Sequence, residues 1–281
     1  MGPSAVRLAG LAAALTRLGY AVVDRGNILS PTQETADPGS ETKHYIADIA
    51  DACERLHAAV LASRADDALP LVLGGDHSLA TGSVSAAAAD ARRRQRSFGL
   101  LWLDAHGDMN TPRTTTSGNV HGMALAALVA AEPAELARFA GVSPAVEPDR
   151  TVLFGVRNLD EQEKVLVSRS GVHVVTMSEI DRQGVAAAAE RALAIVGRDD
   201  AVLHVSLDMD VCDPSIAPGV GTPVRGGLLY REAHLVMEMV AETRRLQSLD
   251  LVEINPILDV RNTTAELGVE LVSSALGLRI L

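Results

Sequence analysis

Leu100-Leu101-Trp102-Leu103-Asp104-Ala105-His106-Gly107-Asp108-Met109-Asn110 sets the terms for the rest of the chain. Its first four residues are apolar and read as a buried strand. Asp104, His106 and Asp108 then occupy alternate positions, and side chains two apart in an extended chain share a side. Three ionisable groups just past an apolar strand are costly unless something compensates them. A cation at their focus would do so. Taken alone, the run also reads as a polar turn built on Gly107 and Asn110.

Working outward, two more apolar runs end in the same way. Val202-Leu203-His204-Val205-Ser206-Leu207-Asp208-Met209-Asp210 puts two carboxylates on one face. Their repulsion would raise one pKa strongly unless a cation lay between them. Leu71-Val72-Leu73-Gly74-Gly75-Asp76-His77 ends in two glycines and a histidine, and the glycines permit close backbone approach. A lone histidine after a strand is more often structural. This one gains weight as a ligand because two other strands also end in ligands.

Apolar runs predict strands at 69–73, 98–103, 151–156, 172–176, 201–208 and 247–253. Helical periodicity falls between them, at 44–64, 79–93, 121–131, 161–169, 184–196, 230–244 and 262–277. Ahead of these, 4–18 reads as one helix, 21–24 as a strand and 27–43 as a polar surface loop. Strands alternating with helices predict a parallel sheet covered on both faces. No linker or repeat divides the chain. Residues 1–281 therefore read as a single α/β domain of three layers, a central mostly parallel β-sheet flanked by helices.

Aromatic residues make up 2% of the chain and hydrophobic residues 47%, so the core must be aliphatic. A net charge of −11 argues against non-specific binding to nucleic acid or to an anionic membrane. The basic run Arg92–Arg96 reads as the solvated end of a helix, where cations suit the dipole. Cys53 and Cys212 lie outside any CxxC motif, which points away from a disulfide framework and towards a reducing cytoplasm. No apolar run reaches membrane-spanning length, and the N-terminus lacks a secretory pattern.

In a parallel sheet, sites form outside the carboxyl ends of the strands. The candidate metal ligands are His77, Asp104, His106, Asp108, Asp208 and Asp210. Six protein ligands are too many for one catalytic zinc with an open position. They suit two metals bridged by carboxylates, and an oxygen-rich set with a little imidazole favours Mn(II). Two metals about 3.5–4 Å apart can share a water and lower its pKa. The chemistry implied is hydrolysis at an electrophilic carbon or phosphorus, and the spacing leaves both open.

GGDHS (74–78), DAHGDMN (104–110), TPRTTTSGNVHGM (111–123) and SLDMDVCDP (206–214) together resemble the ureohydrolases, and within them the arginases. The resemblance runs from about Gly2 to the C-terminus. It implies an α/β fold and a binuclear manganese centre on the six residues above. It implies hydrolysis of L-arginine to L-ornithine and urea by a hydroxide shared between the metals and steered by Asp108. By the same resemblance His121 is the catalytic proton donor or shuttle, and Glu253 and Thr222 receive the guanidinium. Asn110, Thr115, Ser117 and Asn119 match the cradle of the α-carboxylate, and Asp160 the acceptor of the α-amino group. The neutral hydroxyls and amides of TTTSGN suit a carboxylate. They penalise agmatine, which lacks one.

The alternatives are an agmatinase or guanidino-acid hydrolase, or a non-catalytic metal-binding homologue. Retained His121 and Glu253 speak against the last. The resemblance further implies a homotrimer or homohexamer. It also implies that the usual first strand, ahead of the match to GPSAVRLAG, is absent here. Asn158 stands where many arginases have Asp.

Other polar residues read as structural. His204 shares a face with Asp208, but four residues of strand span roughly 13 Å, so it belongs to the core or supports a ligand. His44, His57 and His234 read as helical and His173 as part of a strand. Asp76 supports the backbone, Asp213 makes a turn before Pro214, and Cys212 is a small apolar filler.

Overall fold

The computed structural model describes residues 1–279. Six strands form one parallel sheet: β1 Leu71–Leu73, β2 Phe98–Leu103, β3 Thr151–Val156, β4 His173–Thr176, β5 Val202–Asp208 and β6 Leu246–Val252. Their order across the sheet is β1-β6-β5-β2-β3-β4. Four adjacent strands, β1, β6, β5 and β2, therefore deliver the segments that follow them to one stretch of the carboxyl edge. Register aligns these ends: Trp102 pairs with Ser206, and Ser206 with Asp250.

The four inner strands are buried on both faces, which is why their sequences are mostly apolar runs rather than alternating ones. Leu101 and Leu103 point into one layer, with Val152, Phe154 and Val205, under helices Val185–Val196, Tyr230–Thr243 and Thr263–Ala275. Leu100 and Trp102 point into the other, with Leu153, under helices Ala80–Arg93 and Ala124–Val129. The core is aliphatic apart from Trp102 and Phe154 among its largest fully buried side chains. Gly82 brings helix Ala80–Arg93 against helix Ile46–Ala65, because any Cβ there would collide with the Cys53 carbonyl.

Several expectations need correction. The predicted helix 4–18 is two helices, Gly2–Leu8 and Leu11–Arg17, broken at Gly10, whose φ of 88° lies in the left-handed region. Residues 21–24 form no strand. The segment is held by side chains instead: Arg7 pairs with Asp24 at 2.6 Å, and the Tyr20 hydroxyl donates to the Leu276 carbonyl at 2.9 Å. β1 consequently has a partner on one side only. The loop read at 27–43 contains a small hairpin in which Gly39–Ser40 pairs antiparallel with Lys43–His44, so His44 is not helical.

The predicted helix 121–131 is a 3-10 turn, Val120–Met123, followed by Ala124–Val129. Helix Met177–Gln183 was not anticipated; Thr176 and Glu179 open it with a capping box. The Arg92–Arg96 run is the exposed end of helix Ala80–Arg93, as expected, and it also makes specific contacts. Arg93 and Arg94 pair with buried Asp90, as does Arg64, and Arg92 donates to the Ala140 and Ala145 carbonyls.

Candidate metal centre

His77 follows β1 in a 3-10 turn capped by Asp76, whose carboxylate accepts the Ser78 N–H at 3.0 Å. Asp104 leaves β2, with its N–H bonded to the Phe154 carbonyl at 3.0 Å. Asp208 ends β5 and its carboxylate accepts the Asp210 N–H at 2.8 Å. Asp210 in turn accepts the Ala105 N–H at 3.1 Å. These short links hold carboxylates that would otherwise repel.

Three carboxylate oxygens converge on one ring nitrogen. His77 Nδ1 lies 3.1 Å from Asp104 Oδ2, 3.1 Å from Asp108 Oδ2 and 3.2 Å from Asp208 Oδ2. Every one of these side chains is buried. A ring nitrogen carries at most one proton and can serve one of the three. Asp108 Oδ2 is accordingly a buried oxygen with no hydrogen bond. On the far side of the ring, Ser206 Oγ lies 2.8 Å from His77 Nε2. An N–H there leaves a lone pair on Nδ1, aimed at three anions. That arrangement is repulsive without a cation and favourable with one.

A second group adjoins the first. His106 Nδ1 lies 3.0 Å from Asp210 Oδ2 and 3.4 Å from Asp104 Oδ1. The described residues thus contain two triplets able to hold metal, His77-Asp104-Asp208 and Asp104-His106-Asp210, with Asp104 in both. Asp108 stands outside these triplets but reaches the first through Nδ1 of His77. All six predicted ligands therefore meet at one place.

The electrostatics express the same demand for positive charge. Burial and the charge of Asp104 push Asp108 up to about 6, and burial, with Asp210 and Asp104 nearby, raises Asp208 well above the carboxylate range. Although burial pulls against it, hydrogen bonding to Asp104 and Asp210 lifts His106 to about 11. A divalent cation would satisfy these carboxylates and leave both imidazoles neutral, as ligation requires.

Trp102 and Ser206 were not singled out from the sequence. The Trp102 indole N–H donates to Asp104 Oδ2 at 3.0 Å, and its ring stacks on His77 with centroids 3.9 Å apart. Both residues lie two positions before a candidate ligand, which was the available signal. Glu163 was missed too. Buried beside the loop, it accepts the Met109 N–H at 3.0 Å, and burial, with Asp108 nearby, raises it to about 7. The Arg157 guanidinium donates to the carbonyls of Asp210 at 2.6 Å and Val224 at 2.8 Å, tying together the loops that bear Asp210 and Thr222.

Of the other predicted site residues, Glu253, His121 and Thr222 are tied to this cluster by direct contacts. Glu253 follows β6, with φ 64°; its Oε1 lies 3.1 Å from His121 Nδ1 and accepts the His77 N–H at 2.8 Å. Asp108, φ 50°, is also left-handed, an uncommon state for non-glycine residues that recurs at functional sites. Asn110 N–H bonds to the Gly122 carbonyl at 3.1 Å, which closes the loop and brings His121 back to the centre. Thr222 Oγ1 donates to Asp210 Oδ2 at 3.2 Å. Asn110 Nδ2 donates to Asp160 Oδ2 at 2.8 Å, while Asp160 Oδ1 caps helix Glu161–Ser170.

Thr115 Oγ1 accepts the Gly118 N–H at 3.0 Å and Ser117 Oγ the Asn119 N–H at 3.2 Å. Both hydroxyls keep a proton to donate. His204, by contrast, is buried against Ser248 at 2.7 Å and Asp250 at 3.1 Å. Cys212 is fully buried, and burial pushes its thiol up to about 12, consistent with a filler.

Comparison with known proteins agrees with this geometry. A family model described as the arginase family matches residues 1–277. The chain belongs to the arginase family. It is 44% identical to an arginase of Bacillus caldovelox over 282 residues, covering 100% of this chain and 93% of that protein. The native structure of the Bacillus caldovelox arginase at pH 5.6 superposes with a TM-score of 0.94 at 43% identity, over 100% of this chain and 93% of the other. An Entamoeba histolytica arginase solved in complex with L-ornithine gives a TM-score of 0.89 at 27% identity, over 99% and 92% of the two chains. The six-stranded parallel sheet described above is thus that of an arginase-family protein.

Proposed function

We propose that this member of the arginase family hydrolyses L-arginine to L-ornithine and urea, using two Mn(II) ions. The observation that carries the reading is the pair of triplets sharing Asp104, set beside the His121–Glu253 pair. His77, Asp104, Asp108 and Asp208 would hold one ion, and Asp104, His106, Asp208 and Asp210 the other. Metal ions bound there supply Lewis acidity, lowering the pKa of a water to near neutrality.

The chain's own residues do the rest. Glu253 holds the guanidinium in a charge-assisted pair, which needs the carboxylate ionised, and Thr222 lies beside it. Asp108 accepts a hydrogen bond from the attacking oxygen and aims it at the guanidinium carbon. As the C–N bond breaks, the leaving amine takes a proton from His121. Hydrogen bonding to Glu253, against the effect of burial, raises that imidazole to about 9, so it carries a proton at neutral pH. Asn110, Thr115, Ser117 and Asn119 receive the α-carboxylate and Asp160 the α-amino group. The carboxylate cradle supports an amino acid rather than agmatine as substrate.

The small-molecule substrate and acidic charge leave nucleic acid and membrane without a role, and no described helix is long and apolar enough to cross a membrane. We place the protein in the cytoplasm as a homotrimer or homohexamer. Urea release from L-arginine, agmatine and guanidinobutyrate by Mn(II)-loaded protein tests the reading. L-Arginine is strongly preferred. Equal turnover of agmatine would remove the substrate assignment, and no urea from any of the three would leave a metal-binding protein without this activity.

A further inference from the structure

Gly118 sits in the middle of the Thr115–Asn119 arc with φ 72°. It is buried, while Ser117 and Asn119 on either side are exposed. The arc therefore turns its backbone inward and its polar side chains outward. What Gly118 meets is the hairpin Gly39–His44. Its carbonyl accepts the His44 backbone N–H at 2.9 Å. A Cβ at Gly118 would collide with the Glu41 carbonyl and come within 2.9 Å of His44 Cε1.

Lys43 pairs with Glu135, which ties the hairpin to helix Ala134–Ala137, while Tyr45 N–H to the Pro38 carbonyl at 2.9 Å and Gly39 N–H to Asp37 at 2.9 Å close it on itself. The arc too bonds mainly to itself. Ser117 and Gly118 N–H groups donate to Thr115 Oγ1, and Asn119 N–H to Ser117 Oγ. Among the described residues, the His44–Gly118 bond is the one hydrogen bond joining residues 115–119 to an element outside the 110–122 loop. Local turns shape the arc but do not fix where it stands.

We infer that the hairpin Gly39–His44 is a positioning element for substrate selection, acting through Gly118. It rests on the carboxylate reading above. By docking the arc, the hairpin holds Thr115, Ser117 and Asn119 at the spacing a carboxylate requires. Donors ordered before the substrate arrives spare it the entropy of ordering them. A substrate without the carboxylate gains nothing from this order, so the hairpin acts on one arm of the comparison only.

The test uses the Mn(II)-loaded full chain and three variants. His44→Pro removes the N–H, His44→Ala keeps it, and Gly118→Ala drives a methyl into the Glu41 carbonyl. Steady-state kinetics on L-arginine and agmatine are read beside manganese content, melting temperature and L-ornithine binding by calorimetry.

His44→Pro raises KM for L-arginine roughly five- to tenfold, the range one lost hydrogen bond gives. It leaves kcat within about twofold, weakens L-ornithine binding by the same factor as KM, and leaves agmatine turnover and metal content unchanged. His44→Ala keeps the parent preference, and Gly118→Ala shows the same arginine-specific loss as His44→Pro. An unchanged preference in both His44→Pro and Gly118→Ala overturns the inference, as does equal loss on both substrates. Should His44→Pro not fold, Gly118→Ala decides between these results. A parent enzyme that does not distinguish L-arginine from agmatine refutes the carboxylate reading itself.

Discussion

His121 Nδ1 lies 3.1 Å from Glu253 Oε1, and the same oxygen accepts the His77 backbone N–H at 2.8 Å. One carboxylate therefore joins the proposed proton carrier to the turn that holds a proposed metal ligand. Hydrogen bonding to this neighbour is the chief cause of the raised imidazole pKa, with Asp108 adding to it, yet His121 stands apart from both metal-holding triplets.

That separation makes His121→Ala informative. The substitution removes a proton donor and no ligand. We expect kcat on L-arginine to fall by roughly 10²–10⁴, the usual contribution of general acid–base catalysis, with bound manganese unchanged by elemental analysis. Loss of metal in this variant would contradict the role given to His121.

Ser206 makes the complementary case, because it touches a ligand and no substrate group. Its hydroxyl lies 2.8 Å from His77 Nε2, and a partner there fixes which ring nitrogen faces the carboxylates. We expect Ser206→Ala to weaken Mn(II) binding by roughly 10- to 100-fold, as for other groups that orient a ligating histidine. Activity should recover at saturating Mn(II). Wild-type affinity in a competition titration would show that the contact is incidental.

Away from the site, Asp90 gives a pH signature. It is buried, with Arg64, Arg93 and Arg94 bonded to it. Burial pushes its carboxyl up, but these three guanidinium groups outweigh burial and hold it below the ordinary range. A carboxyl depressed in the folded state adds stability above its unfolded pKa of about 3.9, and that stability is lost as pH falls through the folded value.

Asp90→Asn should therefore destabilise the fold near neutral pH, because the buried carboxylate gives up its charge-assisted hydrogen bonds to guanidinium groups that solvent still reaches. The difference from the parent should shrink below about pH 4. Urea unfolding of both proteins along a pH series measures it. A gap that stays constant into acid would mean Asp90 acts through packing alone.

Much of this architecture is legible in the residues themselves. Apolar runs 100–103 and 202–207 end in alternating acids, which marks the site, but the extended backbone that would put them on one side stops at Leu103 and Asp208: Asp108 is left-handed at φ 50° and Asp210 lies in a 3-10 turn. All six predicted ligands meet because β1, β6, β5 and β2 are neighbours, an order that local patterning does not encode. The same reason hides Ser206, whose partner His77 lies 129 positions earlier in the chain.

Local patterns also mislead where tertiary partners decide. Residues 21–24 have strand-like composition but no neighbouring strand to pair with. Apolar spacing continues across Gly10, whose left-handed backbone nonetheless breaks the helix. The hairpin at 39–44 has two-residue strands, too short for any periodicity to show.

Crystals grown with excess Mn(II), measured for anomalous scattering at the manganese edge, test the metal pair most directly. The proposal requires two manganese peaks about 3.5–4 Å apart, one against His77 and the other against His106, with Asp104 touching both. A single peak, or any of the six side chains lying beyond coordinating distance, would contradict it.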